Sequence, residues 1–155
     1  MKKSLLSLLI FVTACYFNSL LAQDVAQDYK LGLGIRLSNA SPTLNNSISL
    51  KYFVDEGTAL EGLLSFGSRF GIGGLYEKHK PLNYPGIKWY YGAGAYLGAE
   101  NRNTYFGPTG VIGLDYKFET IPLNLSLDWK PELDILPRIA FIPDAFGLSA
   151  RFTLK

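Results

Sequence analysis

Few residues of this chain have the type and spacing to do chemistry. Gly92, Gly94 and Gly98 alternate within WYYGAGAYLG, beside a run of aromatics. A dinucleotide-binding turn also uses spaced glycines, but it needs a strand before them, a helix after them and an acidic residue about 20 positions on. The spacing here misses that pattern by one residue, so a nucleotide loop is not expected. His79 is the sole histidine and stands between Lys78 and the Lys80-Pro81 pair, which reads as a solvated turn. Glu61, Glu77, Asp115 and Asp128 are able in principle to do acid/base work or to hold a cation. At least as many lysines and arginines accompany them, so ion pairing is the expected use. No Cys/His ligand set exists for zinc or iron. The expectation is therefore a chain with no catalytic residue, no cofactor and no metal.

The elements that position these residues begin after a leader. MKKSLLSLLIFVTACYFNSLLAQ has a basic start at Lys2 and Lys3, an apolar run from Leu5 to about Phe17, and small Ala22 before a polar stretch. This predicts a secretory signal peptide over residues 1–22 and a mature domain over 23–155. VTAC ending at Cys15 resembles a lipobox, so acylation at Cys15 stands as the alternative. Cleavage after Ala22 leaves a mature chain without cysteine and hence without a disulfide. The full chain has 15 Lys+Arg and 13 Asp+Glu; losing Lys2 and Lys3 balances the signs, so no nucleic-acid partner is expected.

The mature part shows strict alternation in place of helical periodicity. YKLGLGIRL sets Tyr29, Leu31, Leu33, Ile35 and Leu37 against Lys30, Gly32, Gly34 and Arg36. Similar segments are SISLKYFV, TALEGLLSF, RFGIGGLYEK, IKWYYGAGAYLG, VIGLDYKF, LNLSLDWK and AFGLSARFTLK, making eight. Turn-rich stretches separate them: SNASPTLNN, DEG, GS, HKPLNYPG, AENRNTYFGP, ETIP and DILPRIAFIPD. Eight alternating segments predict an all-β, antiparallel up-and-down barrel.

Alternation alone does not say which face is inside. A soluble lipocalin-like carrier turns its apolar face inward around a ligand, whereas a membrane barrel turns it toward lipid. The polar face mixes glycine with long charges of both signs: Arg36, Lys51, Lys88, Lys117, Lys130 and Arg151 against Glu61, Glu77, Asp115 and Asp128. That mixture suits a narrow lumen closed by ion pairs, with glycines making room. With the mature N-terminus in the periplasm, Tyr29, Tyr52, Tyr76, Trp89, Tyr116, Phe118 and Phe152 fall near the periplasmic end of the apolar face. Phe66, Phe70, Trp129 and Phe146 fall near the outer end. Two aromatic girdles around an aliphatic band are what a bilayer requires.

This pattern resembles the small eight-stranded outer-membrane β-barrels of Gram-negative bacteria, of OmpA/OmpX type. The resemblance covers nearly the whole mature chain, and its most specific piece is the last strand, AFGLSARFTLK. That strand looks like the C-terminal signal read by the barrel-assembly machinery, although Leu154 and Lys155 follow Phe152 where an aromatic usually ends it. It implies a monomeric transmembrane barrel in the cell outer membrane, with outer-membrane lipid and the assembly machinery as partners. Some barrels of this size modify lipid A through a histidine near the outer leaflet; His79 is expected at the other end. The last outer loop carries Ile139, Phe141 and Ile142, too apolar for a simple solvated loop. It is expected to extend the adjoining strands or fold over the barrel mouth, or else to meet an unidentified surface partner. The expected role is structural or interactive. A soluble lipocalin-like carrier and a lipid-modifying enzyme are the alternatives.

Overall fold

A computed structural model of the chain describes residues 29–38, 43–143 and 145–155. The signal peptide expected over 1–22, with its alternatives at Ala22 and Cys15, lies outside the described residues. Alternating side chains produce ten strands: β1 (Leu31–Ser38), β2 (Ser47–Asp55), β3 (Thr58–Phe66), β4 (Phe70–Pro81), β5 (Ile87–Glu100), β6 (Asn103–Lys117), β7 (Leu123–Trp129), β8 (Glu132–Asp134), β9 (Ala140–Ile142) and β10 (Phe146–Leu154). Eight of them close an antiparallel up-and-down barrel, each strand pairing with its sequence neighbour from β1 to β7, and β10 joining β7 to β1. β8 and β9 form a small hairpin that joins β6 beyond the end of β7, at Thr109↔Glu132.

Both described ends of the chain meet at one rim, where Leu31 pairs with Leu154. This terminal end also holds the β2–β3, β4–β5 and β6–β7 turns; the loop end holds the rest. The β5–β6 turn is two residues, Asn101 (φ 47°) and Arg102 (φ 67°). Left-handed backbone at both central positions is the hairpin turn whose twist matches that of its strands.

Three expectations need correction. AENRNTYFGP is not an open loop, because β5 and β6 continue through it to that tight turn. Pro108 hid this continuation; it lies where β6 has passed the last β7 pair, at Ile112, and proline is tolerated at such an edge. HKPLNYPG contributes only residues 82–86 to a turn, since β4 runs on to Pro81. Tyr29 is not on the outward girdle. Alternation stops at Leu31, and Tyr29 is buried with its ring edge-on to Phe53, 5.2 Å between centroids.

The strands present their two faces to opposite surroundings. Leu33, Ile35, Leu50, Ile72, Leu114, Leu127 and Leu148 are exposed on the outside, whereas Arg36, Lys51, Glu61, Glu77, Lys130 and Arg151 are buried inside. The outward aromatics Tyr52, Tyr76, Tyr91, Tyr116 and Phe152 stand toward the terminal end, and Phe66, Phe70 and Phe146 toward the loop end.

Candidate functional site

The site is the lumen, and it is built from the inward positions of seven barrel strands and a lysine just past β7. Lys51 on β2 meets Glu77 on β4 at 2.8 Å and Asp115 on β6 at 3.8 Å. Lys130 bridges Glu61 on β3 at 2.8 Å and Asp128 on β7 at 3.1 Å. Arg36 on β1 donates to Asp128 from Nε at 3.2 Å and from Nη2 at 2.7 Å. Arg151 on β10 pairs with Glu61 and donates to Ser49 and Ser126 hydroxyls at 2.6 Å each. Ser126 and Asn124 in turn donate to Asp115, at 2.6 and 2.8 Å. Four cations therefore face four carboxylates, all with their side chains at most 4% exposed. Removing an ion from water costs several kcal/mol, so an arrangement like this survives only when every charge is matched.

Eight of the ten residues expected to pair in the lumen stand in this network. Lys117 does not reach it: its ammonium donates to the carbonyls of Phe118 and Ile121 in the β6–β7 turn, 3.1 Å for the latter. Lys88 is half-buried near the terminal end, opposite Asp115 in the strand register.

His79 is the clearest departure from expectation. It belongs to no solvated turn: two residues beyond Glu77 on the extended β4, it shares Glu77's inward face and is only 5% exposed. Its ring stacks on Tyr90 at 4.8 Å and meets Phe53 edge-on, while Nε2 lies 3.1 Å from Glu77 Oε2. It sits at the terminal end of the lumen, in an aromatic floor with Tyr29, Phe53 and Tyr90. The signal for it was the period of two from Glu77; the charges of Lys78 and Lys80 obscured that signal.

The loop end is closed by different means. Thr43, Leu44 and Asn45, between β1 and β2, turn into the lumen and are buried. Leu44 packs among Leu63, Leu75, Tyr90, Tyr96 and Val111. Its backbone N–H and that of Thr43 donate to the Glu132 carboxylate at 2.7 and 3.2 Å. Arg36 donates to the Leu44 carbonyl. Above this plug, Arg69 reaches both Asp134 oxygens at 3.0 Å, and the Tyr96 hydroxyl donates to Asp134 at 2.8 Å. Glu132 and Asp134 lie on β8, in the same stretch as the apolar Ile139, Phe141 and Ile142. Those three lie on and beside the β8–β9 hairpin, with Ile139 81% and Phe141 62% exposed and Ile142 half-buried.

The glycines divide by what they accommodate. A Cβ at Gly147 would stand 2.5 Å from the Arg36 guanidinium, so that glycine does leave room for a charge. At Gly73 it would meet Leu44 Cδ2 at 2.6 Å, and at Gly98 Thr43 Cγ2 at 2.7 Å, so those two leave room for the plug. At Gly92 and Gly94 it would run into the Tyr76 and Gly74 carbonyl oxygens of β4, which corrects the idea that they spare space for charged side chains. Among the described residues, no group of His, Cys, Asp and Glu is arranged to hold a metal ion.

Comparison with known proteins returns no match among family models, curated proteins or solved structures.

Proposed function

We propose that the protein is an outer-membrane β-barrel of OmpA/OmpX type, with a structural or surface-contact role and no catalytic one. The observation that carries this reading is the inversion of the two faces. Charged side chains are sealed inside, while the outward face presents aliphatic side chains between two groups of aromatics. Water would make such an outside costly, and a bilayer makes it favourable. A lipocalin-like carrier needs an apolar interior for its ligand; here salt bridges, the Leu44 plug and an aromatic floor fill the interior. Eight strands leave an interior just wide enough for side chains, which argues against a transport role.

In this reading the terminal end faces the periplasm and the loop end faces outward. The last strand would be the element presented to the barrel-assembly machinery. The β8–β9 hairpin, with Ile139 and Phe141, is the surface offered to an outside partner. Cell fractionation tests the location. The protein should leave the envelope only with detergent and should shift on gels after boiling; release in the soluble periplasmic fraction would refute the reading.

A further inference from the structure

The lumen cations are held in direct salt bridges with carboxylates, whereas a second set of cations is not. Lys30, Lys78 and Lys80 stand at the terminal end of the outward face, and each lies over an aromatic ring. Lys78 Nζ is 5.4 Å from the Tyr76 centroid; Lys80 Nζ is 5.8 Å from Trp89 and 6.0 Å from Tyr91; Lys30 Nζ is 5.7 Å from Tyr52. Among the described residues, no carboxylate lies within salt-bridge distance of any of the three. Asp55, in the adjacent turn, accepts from its own Gly57 amide at 2.9 Å. Lys78 donates to the Thr58 hydroxyl at 2.6 Å, which fixes its direction, and Asp55 favours its charged form from beyond salt-bridge distance.

Lys78 and Lys80 are two residues apart on β4 and therefore share its outward face, roughly 7 Å apart along the strand. The register sets them beside Tyr91 and Trp89 of β5. An ammonium held over an aromatic face keeps N–H groups free for an outside acceptor. Directly above, the outward face falls to Gly74, Ala93 and Ala95, and a Cβ at Gly74 would meet nothing. That is space along which an acyl chain can lie below a bound headgroup.

We infer that Lys78 and Lys80, backed by Tyr76, Trp89 and Tyr91, bind the phosphate of an anionic glycerophospholipid in the leaflet at the terminal end of the barrel. The inference rests on the membrane reading above. A free phosphate would use the lysines alone, whereas a phospholipid uses both the charge and the apolar surface continuous with it. Lys30 over Tyr52 extends the same collar toward β2.

Tryptophan fluorescence tests this, because Trp89 adjoins the site and the only other tryptophan is Trp129. The W129F protein, with Trp89 alone, is refolded into phosphatidylcholine vesicles containing chain-brominated phosphatidylglycerol or chain-brominated phosphatidylcholine. Brominated phosphatidylglycerol should associate on the order of fivefold more strongly by Trp89 quenching for each lysine that engages it. The preference should vanish in K78Q/K80Q, and high salt should remove it without touching the lysines. Equal quenching by the two lipids, or a preference that persists in K78Q/K80Q, would overturn the assignment. Quenching by neither would remove the membrane reading itself and this inference with it.

Discussion

At mid-height the lumen is filled by side chains from the barrel wall and its margin, whereas at the loop end it is filled by a segment between two strands. The mid-height layer joins Arg36, Lys51, Lys130 and Arg151 to Glu61, Glu77, Asp115 and Asp128, residues far apart in the chain. The upper layer is the short segment Thr43–Asn45, lowered onto Leu63, Leu75 and Val111 and tied down by Glu132. The first closure ties together all eight barrel strands, with β5 joining through Tyr90, whose hydroxyl donates to Asp128 at 3.2 Å. The second depends on one apolar side chain, two amide hydrogen bonds to Glu132, and single hydrogen bonds from Arg36 to the Leu44 carbonyl and from Arg69 to the Thr43 hydroxyl. The mid-height layer should therefore govern whether the barrel forms, and the upper layer how tightly its mouth is held.

Substitutions that break one closure and spare the other should separate these roles. Glu61→Gln leaves Lys130 and Arg151 each short of a buried counter-charge. Removing one partner of a buried ion pair costs about 3–5 kcal/mol, so denaturant titration in detergent should show a loss of that order or no heat-modifiable form at all. Leu44→Ala should cost about 2–4 kcal/mol by the same titration, through the cavity left under the mouth, with the barrel still folding. Glu132→Gln keeps an acceptor but removes the charge that holds the Thr43 and Leu44 amides. A loss of about 1–2 kcal/mol is expected, along with faster amide exchange at those two residues but not at β2 or β3. Replacing Ile139, Phe141 and Ile142 by serine should change stability by no more than about 0.5 kcal/mol. The same variant should lose surface binding, measured on whole cells; unchanged binding would clear the hairpin of that role.

The barrel was legible because a period of two survives in the sequence wherever one face meets apolar surroundings and the other does not. Tyr90 and Tyr96 could be assigned to the inward face from parity alone, and Gly147 could be read as making room for a charge. Pairing was not legible: that Lys51 serves Glu77, and Lys130 serves Glu61, depends on barrel closure. Strand ends were hidden where charged or proline residues imitate turns, as at His79 and Pro108. The plug left no periodic trace, since Thr43–Asn45 belong to no strand and are held by Glu132, almost ninety residues away.

The central claim is that the apolar face of the wall meets lipid while the charged face is sealed within. With cleavage after Ala22 the mature chain has no cysteine, so single cysteines can be placed along β6 and spin-labelled. In liposomes, labels at Ile112 and Leu114 should be open to dissolved oxygen and shielded from a water-soluble nickel chelate. A label at Val111 should be immobile and shielded from both. Free access of the nickel chelate to positions 112 and 114 would contradict the account.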